Sequence, residues 1–175
     1  MGWQNIKLGK KIMTGIGLVL FMLLLVSIVA FWGISGIVKD GREVAEGNEL
    51  RGELLQREVD HLKWAHVVSA YVHDETAGAL NVELDHRQCG FGKWYYGTGK
   101  KEAVSLLGEL AGPLNAIEEP HRYLHESALK IQELHAQGKH TEARILYNNE
   151  TMNQLSSVQN ILNKITGLSK NEKIR

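Results

Sequence analysis

The apolar positions of this chain fall into one unbroken block followed by four periodic runs. Residues 12–38, IMTGIGLVLFMLLLVSIVAFWGISGIV, carry no charged side chain. A helix rises about 1.5 Å per residue and about 20 apolar residues span a bilayer, so the block predicts a transmembrane helix with length to spare. A cleavable signal peptide has an apolar region of about 7–15 residues and a small-residue cleavage site. This block is longer and no A-x-A pattern follows it, which favours an uncleaved anchor in contact with membrane lipid. Trp32 toward one end and Trp3 on the other side suit the membrane interfaces. Lys7, Lys10 and Lys11 precede the block, and Lys39, Arg42 and Arg51 follow it. The resulting bias is small. It predicts residues 1–11 as a cytoplasmic lead, a single pass through the inner (cytoplasmic) membrane, and a domain on the periplasmic or extracellular side.

Residues 40–175 read as helices. Leu50, Leu54, Leu55, Val59, Leu62, Val67, Val68 and Tyr71 recur at three- and four-residue steps, predicting a long helix over 40–80. Gly90, Gly92, Gly97 and Gly99 crowd the next stretch, so 81–99 is expected to be a connection with at most a short helix. A second helical pattern covers about 101–111 and is expected to stop at Gly112-Pro113. A third runs over about 114–137 and ends at Gly138. A fourth runs from near Thr141 to about Ser169. No segment alternates convincingly as a strand. The expected fold is all-α: an N-terminal transmembrane helix followed by an antiparallel, four-helix-type bundle.

Composition narrows the function classes. The 175 residues hold 20 basic and 20 acidic side chains and a formal net charge of zero, with no basic excess of the kind nucleic-acid binders show. The single cysteine excludes an intramolecular disulfide. In an exported protein a lone cysteine calls for an intermolecular bridge, a reactive thiol or a metal bond.

Three segments carry candidate chemistry. In Pro120-His121-Arg122-Tyr123-Leu124-His125, a helix places His121 and His125 one turn apart on one face, the recurrent helical half-site for zinc. Two partly exposed helix histidines fit the same letters. In Cys89-Gly90-Phe91-Gly92-Lys93-Trp94, a thiolate is a strong zinc ligand, and the glycines allow the backbone a close approach to a neighbouring helix. An ordinary buried cysteine beside an aromatic anchor fits as well. In Asp60-His61-Leu62-Lys63-Trp64, Trp64 is placed to cover the histidine, and Asp60 is a candidate acceptor for an imidazole N–H. A surface histidine next to a core tryptophan is the plain alternative. Among the other histidines, His86 is the best spare ligand, three residues before Cys89. His66 and His73 lie more than 100° around the helix from His61, and His135 and His140 belong to no motif.

Taken together, these segments resemble the chemoreceptor zinc-binding domain, a helical sensory module of bacteria. That family is marked by an early His near an aromatic, a Cys-x-hydrophobic-Gly-x-aromatic segment and a later His-x-x-x-His. The resemblance covers roughly residues 55–130 and implies a zinc site of His61, Cys89, His121 and His125. Four protein ligands fill a tetrahedral zinc and leave no position for substrate water, and the H-E-x-x-H pattern is absent, so an enzyme is not expected. The opening residues also look like those of a membrane chemoreceptor. The implied function is a zinc-binding sensory input module, expected as a homodimer, responding to zinc or to the thiol or protonation state. Chemotaxis signalling partners follow if a longer receptor exists. With no second apolar run before Arg175, the sequence is read either as a truncated reading frame or as a sensor that works through a partner. The alternatives are a non-sensory structural or zinc-carrier bundle, and a small-ligand sensor whose histidines are incidental.

Overall fold

The computed structural model describes residues 7–171; Trp3, most of the expected cytoplasmic lead and the terminal Lys173-Ile174-Arg175 lie outside the described residues. Most of the described residues are helical, and none of them forms a strand. In chain order the helices are α1 (Leu8–His73), α2 (Gly90–Tyr96), α3 (Gly99–Leu106), α4 (Ala111–Ala116), α5 (Glu118–Ala136), α6 (His140–Leu146) and α7 (Met152–Asn171). A 3-10 turn, Gly108–Leu110, precedes α4, and a π turn, Tyr147–Thr151, joins α6 to α7. The chain separates into two units, Met1–Ala45 and Glu46–Arg175.

In the first unit α1 is uncharged over residues 12–38, with Leu18, Phe21, Leu24, Phe31 and Trp32 all exposed. Its few hydroxyls are satisfied within the helix: Ser27 Oγ donates to the Leu23 carbonyl and Ser35 Oγ to the Phe31 carbonyl, both at 2.8 Å. An apolar surrounding demands such local pairing. This helix is long and apolar enough to cross a membrane.

The second unit is the bundle. Its core joins Leu50, Leu54, Trp64, Val68 and Val72 of α1 to Leu114, Leu124, Ala128 and Ile131, and to Leu155, Val158, Leu162 and Ile165 of α7. Side-chain pairs set the directions. His61 meets His121 and Tyr71 meets His135, so α1 and α5 run the same way. Tyr147 reaches the Ala65 carbonyl and Gln159 reaches Glu58, so the α6–α7 arm runs antiparallel to α1. The arm between α1 and α5 is only partly helical. It descends as an extended strap over residues 74–89, continues through α2 and α3, and turns back through α4.

Several boundaries differ from the expected ones. The first helix ends at His73 rather than near 80, because Asp74 closes a turn: its carboxylate accepts the Thr76 N–H at 2.9 Å and its carbonyl the Ala77 N–H at 3.1 Å. The non-helical connection is therefore residues 74–89, and the glycine-rich stretch is mostly helical. Two of its glycines serve close approach instead: a Cβ on Gly92 would overlap the His86 carbonyl, and one on Gly99 would overlap the Trp94 indole. Gly112-Pro113 does not stop a helix. Pro113 sits in the first turn of α4, where its missing N–H has no intrahelical partner to lose. The break falls at Leu107, which is extended at φ −137°, ψ 96°. Four expected apolar positions of α1, namely Leu55, Val59, Leu62 and Val67, stay exposed because they point away from the core.

Gly138 ends the run of α5 with φ 73°, in the left-handed region. A Cβ there would meet no atom within 4 Å, so substitution carries only a backbone penalty. Gly138→Ala is expected to destabilise the domain by about 1–2 kcal/mol, seen as a lower denaturation midpoint at unchanged denaturant dependence.

Candidate metal centre

Three parts of the bundle deliver four side chains to one place. α1 supplies His61, the residue capping α2 supplies Cys89, and α5 supplies His121 and His125 on successive turns. Their donor atoms all lie within 4.8 Å of one another. The three imidazoles are buried, and Cys89 is partly buried.

Backbone carbonyls orient the rings. His61 Nδ1 lies 2.7 Å from the Arg57 carbonyl, and His125 Nδ1 lies 3.0 Å from the Glu83 carbonyl. A carbonyl only accepts, so in each neutral ring Nδ1 carries the proton and Nε2 bears the lone pair. Both Nε2 atoms are buried and have no hydrogen-bond partner. An unpaired buried polar atom costs free energy, and a metal ion would satisfy both at once. His121 Nε2 is 3.3 Å from Cys89 Sγ. A tetrahedral zinc with bonds of about 2.0–2.3 Å holds its donors about 3.3–3.7 Å apart, so this pair already has the required spacing.

The thiol is held by its own chain segment. Sγ accepts the Gly92 N–H at 3.2 Å and lies 3.3 Å from the His86 carbonyl. Phe91 packs edge-on to His121 at 4.8 Å, and Trp64 covers His125 at 5.1 Å between ring centres. One strap carbonyl, that of Glu83, takes both the Trp64 indole N–H at 2.8 Å and the His125 ring N–H.

Burial sets the electrostatics. Loss of solvent, followed by the neighbouring imidazoles His61, His125 and His86, pushes His121 down to about 2. Loss of solvent and then His61 push His125 down to about 4. Burial likewise lowers His61. Burial raises the Cys89 thiol, against the pull of the Gly92 and Phe91 amides. The imidazoles are thus neutral at physiological pH, the form in which they bind metals.

All four residues singled out in the sequence meet here. Asp60 does not take the expected role: it accepts from Gln56 Nε2 at 2.9 Å, and the Arg57 carbonyl orients His61 instead. His86 contributes its carbonyl to the thiol, while its ring stacks edge-on with Tyr96. The Arg57 and Glu83 carbonyls escaped sequence reasoning because a backbone acceptor has no residue signature.

Fold and site thus define an all-helical domain with a nitrogen-and-sulfur cluster suited to a borderline-soft metal ion. Residues 61–132 match the model of the chemoreceptor zinc-binding domain. The His61, Cys89, His121 and His125 cluster lies within this matching segment and coincides with the zinc site of that family. No curated protein and no solved structure matches the chain.

Two outcomes follow from this geometry. Gly92→Ala forces a methyl group into the His86 carbonyl, displacing the segment that presents Sγ; zinc affinity should fall at least about tenfold while Phe91 and the helical core keep the domain folded, as read by competitive chelator titration and circular dichroism. In the metal-free protein, the lowered histidine pKa values favour the folded state above the unfolded value of about 6.5. That contribution disappears as pH falls toward the folded values of about 4 for His125 and about 2 for His121. Chelator-treated protein should therefore show a falling denaturation midpoint from pH 7 to pH 5, with the zinc-loaded protein losing stability at lower pH.

Proposed function

We propose that this chain is a membrane-anchored, zinc-binding sensory input module of a chemoreceptor-type signal transducer, active as a homodimer and without enzymatic activity. The single observation carrying the metal reading is the pair of buried, unpartnered Nε2 atoms of His61 and His125, aimed at the same space as Cys89 Sγ and His121 Nε2. A set of three imidazoles and one thiolate suits zinc, and its completeness supports a non-catalytic ion.

A sensory role is favoured over a structural or carrier role by where the core lies. Val68, Ile131, Val158, Leu162 and Ile165 are wholly buried apolar side chains outside the ligand set, which supports a bundle with packing of its own beside the metal. The ion would instead tie the strap to α1 and α5. Protonation or oxidation of the Cys89 thiolate, or loss of zinc itself, would release the strap and α2 while α1, α5 and α7 stay packed.

The apolar first unit supports anchoring in the inner membrane. The excess of lysines at Lys7, Lys10 and Lys11 supports a cytoplasmic N-terminus and a domain on the far side, whereas domains of this family are usually cytoplasmic. Reporter fusions after the last helix separate the two placements. Chemotaxis signalling proteins are the partners this reading implies.

The purified chain should carry one zinc per copy. Cys89→Ser should bind zinc at least about tenfold more weakly, keep its helical circular dichroism, and change the distance between spin labels on the strap and on α5. Wild-type protein that binds no stoichiometric zinc, or a Cys89→Ser variant with unaltered affinity, would sink the proposal; a variant that unfolds would assign the ion a structural role.

A further inference from the structure

The helix that delivers His61 carries a second apolar stripe on its other side. Leu55, Val59 and Leu62 are 41%, 42% and 44% exposed. Their four- and three-residue steps are the a and d spacing of a coiled coil. On a regular helix the stripe lies more than 100° from the mean direction of the buried set that includes Leu50, Leu54, Trp64 and Val68. Core packing therefore cannot account for these three residues.

The flanks of the stripe carry opposite charges. Glu58 lies along one side, where Gln159 Nε2 approaches its carboxylate at 3.5 Å, and the exposed Lys63 lies along the other. When two identical helices pack in parallel and in register, the residue flanking on one side meets the partner residue five positions further on. Glu58 of each copy then faces Lys63 of the other, giving two attractive pairs around the apolar contact. Antiparallel packing sets like flank against like flank.

We propose that Leu55, Val59 and Leu62 form a parallel contact with the same stripe of a second copy of this chain. The parallel sense rests on the membrane-anchored reading, in which both copies have their N-terminal segments in one membrane. The contact lies on the helix whose opposite face holds His61, so metal occupancy and the geometry between copies share one rigid element.

The test uses the full chain in native membranes and in detergent, with a short bis-maleimide as cross-linker and the wild type reporting any linkage through Cys89. Leu55→Cys and Leu62→Cys should each give covalent dimers, while Val67→Cys, about 100° or more around the helix from the stripe, should not. Glu58→Lys should lower the dimer fraction and weaken association about tenfold, and adding Lys63→Glu should restore it. Cross-linking at Val67 equal to that at Leu55 and Leu62, dimers that form without linkage at the stripe, or a double variant that fails to recover would overturn the proposal. Zinc content measured on the same samples separates failure of the interface from failure of the metal reading: loss of dimers with one zinc per chain retained counts against the interface alone.

Discussion

The metal-binding part of the bundle is organised by the need of buried imidazoles for partners. Three histidines cluster inside a helical domain at one site, two of them with ring N–H groups committed to carbonyls and their remaining lone pairs aimed inward. A core built for stability alone would fill that space with aliphatic side chains. Retaining polar groups at that depth costs free energy unless something satisfies them. The donor set makes a metal ion the economical solution, and the neutral state enforced by burial leaves those lone pairs available.

The strap at residues 74–89 follows from the same need. It runs down the bundle with only isolated turns at Asp74–Ala77 and Asp85–Cys89, so several of its backbone groups are paired from outside. His135 takes the Asp74 carbonyl, and Trp64 and His125 together take that of Glu83. The strap thereby orients a ligand and delivers Cys89 at its end. Gly92 then lets α2 lie against the strap at the His86 carbonyl, and Gly99 lets α3 start against the Trp94 indole, at distances no larger residue permits.

The helix α1 works on two faces. In the Glu46–Arg175 unit one face carries Leu54, His61, Trp64 and Val68 into the core, and the other leaves Leu55, Val59 and Leu62 in solvent. The ligand His61 and the exposed apolar stripe are thus carried on different faces of one helix.

The apolar block, the helical class and the four-residue constellation were legible in the chain itself. Composition and period report local preference, and the site residues stand in short segments with distinctive spacing, as His121 and His125 show. The stop at Gly138 was legible for the same local reason. Tertiary packing decided the course of the strap and the π turn at Tyr147–Thr151. Each has partners distant in sequence: the Glu83 carbonyl takes the Trp64 and His125 N–H groups, and Thr151 faces Ser127 across the core. The end of α1 at His73 is set locally, by the Asp74 turn. The carbonyls of Arg57 and Glu83, which aim the ligands, belong to the backbone and leave no mark in the letters. The chain's letters specified which atoms are able to bind a metal ion; only the fold brought them within 4.8 Å and determined which lone pairs face inward.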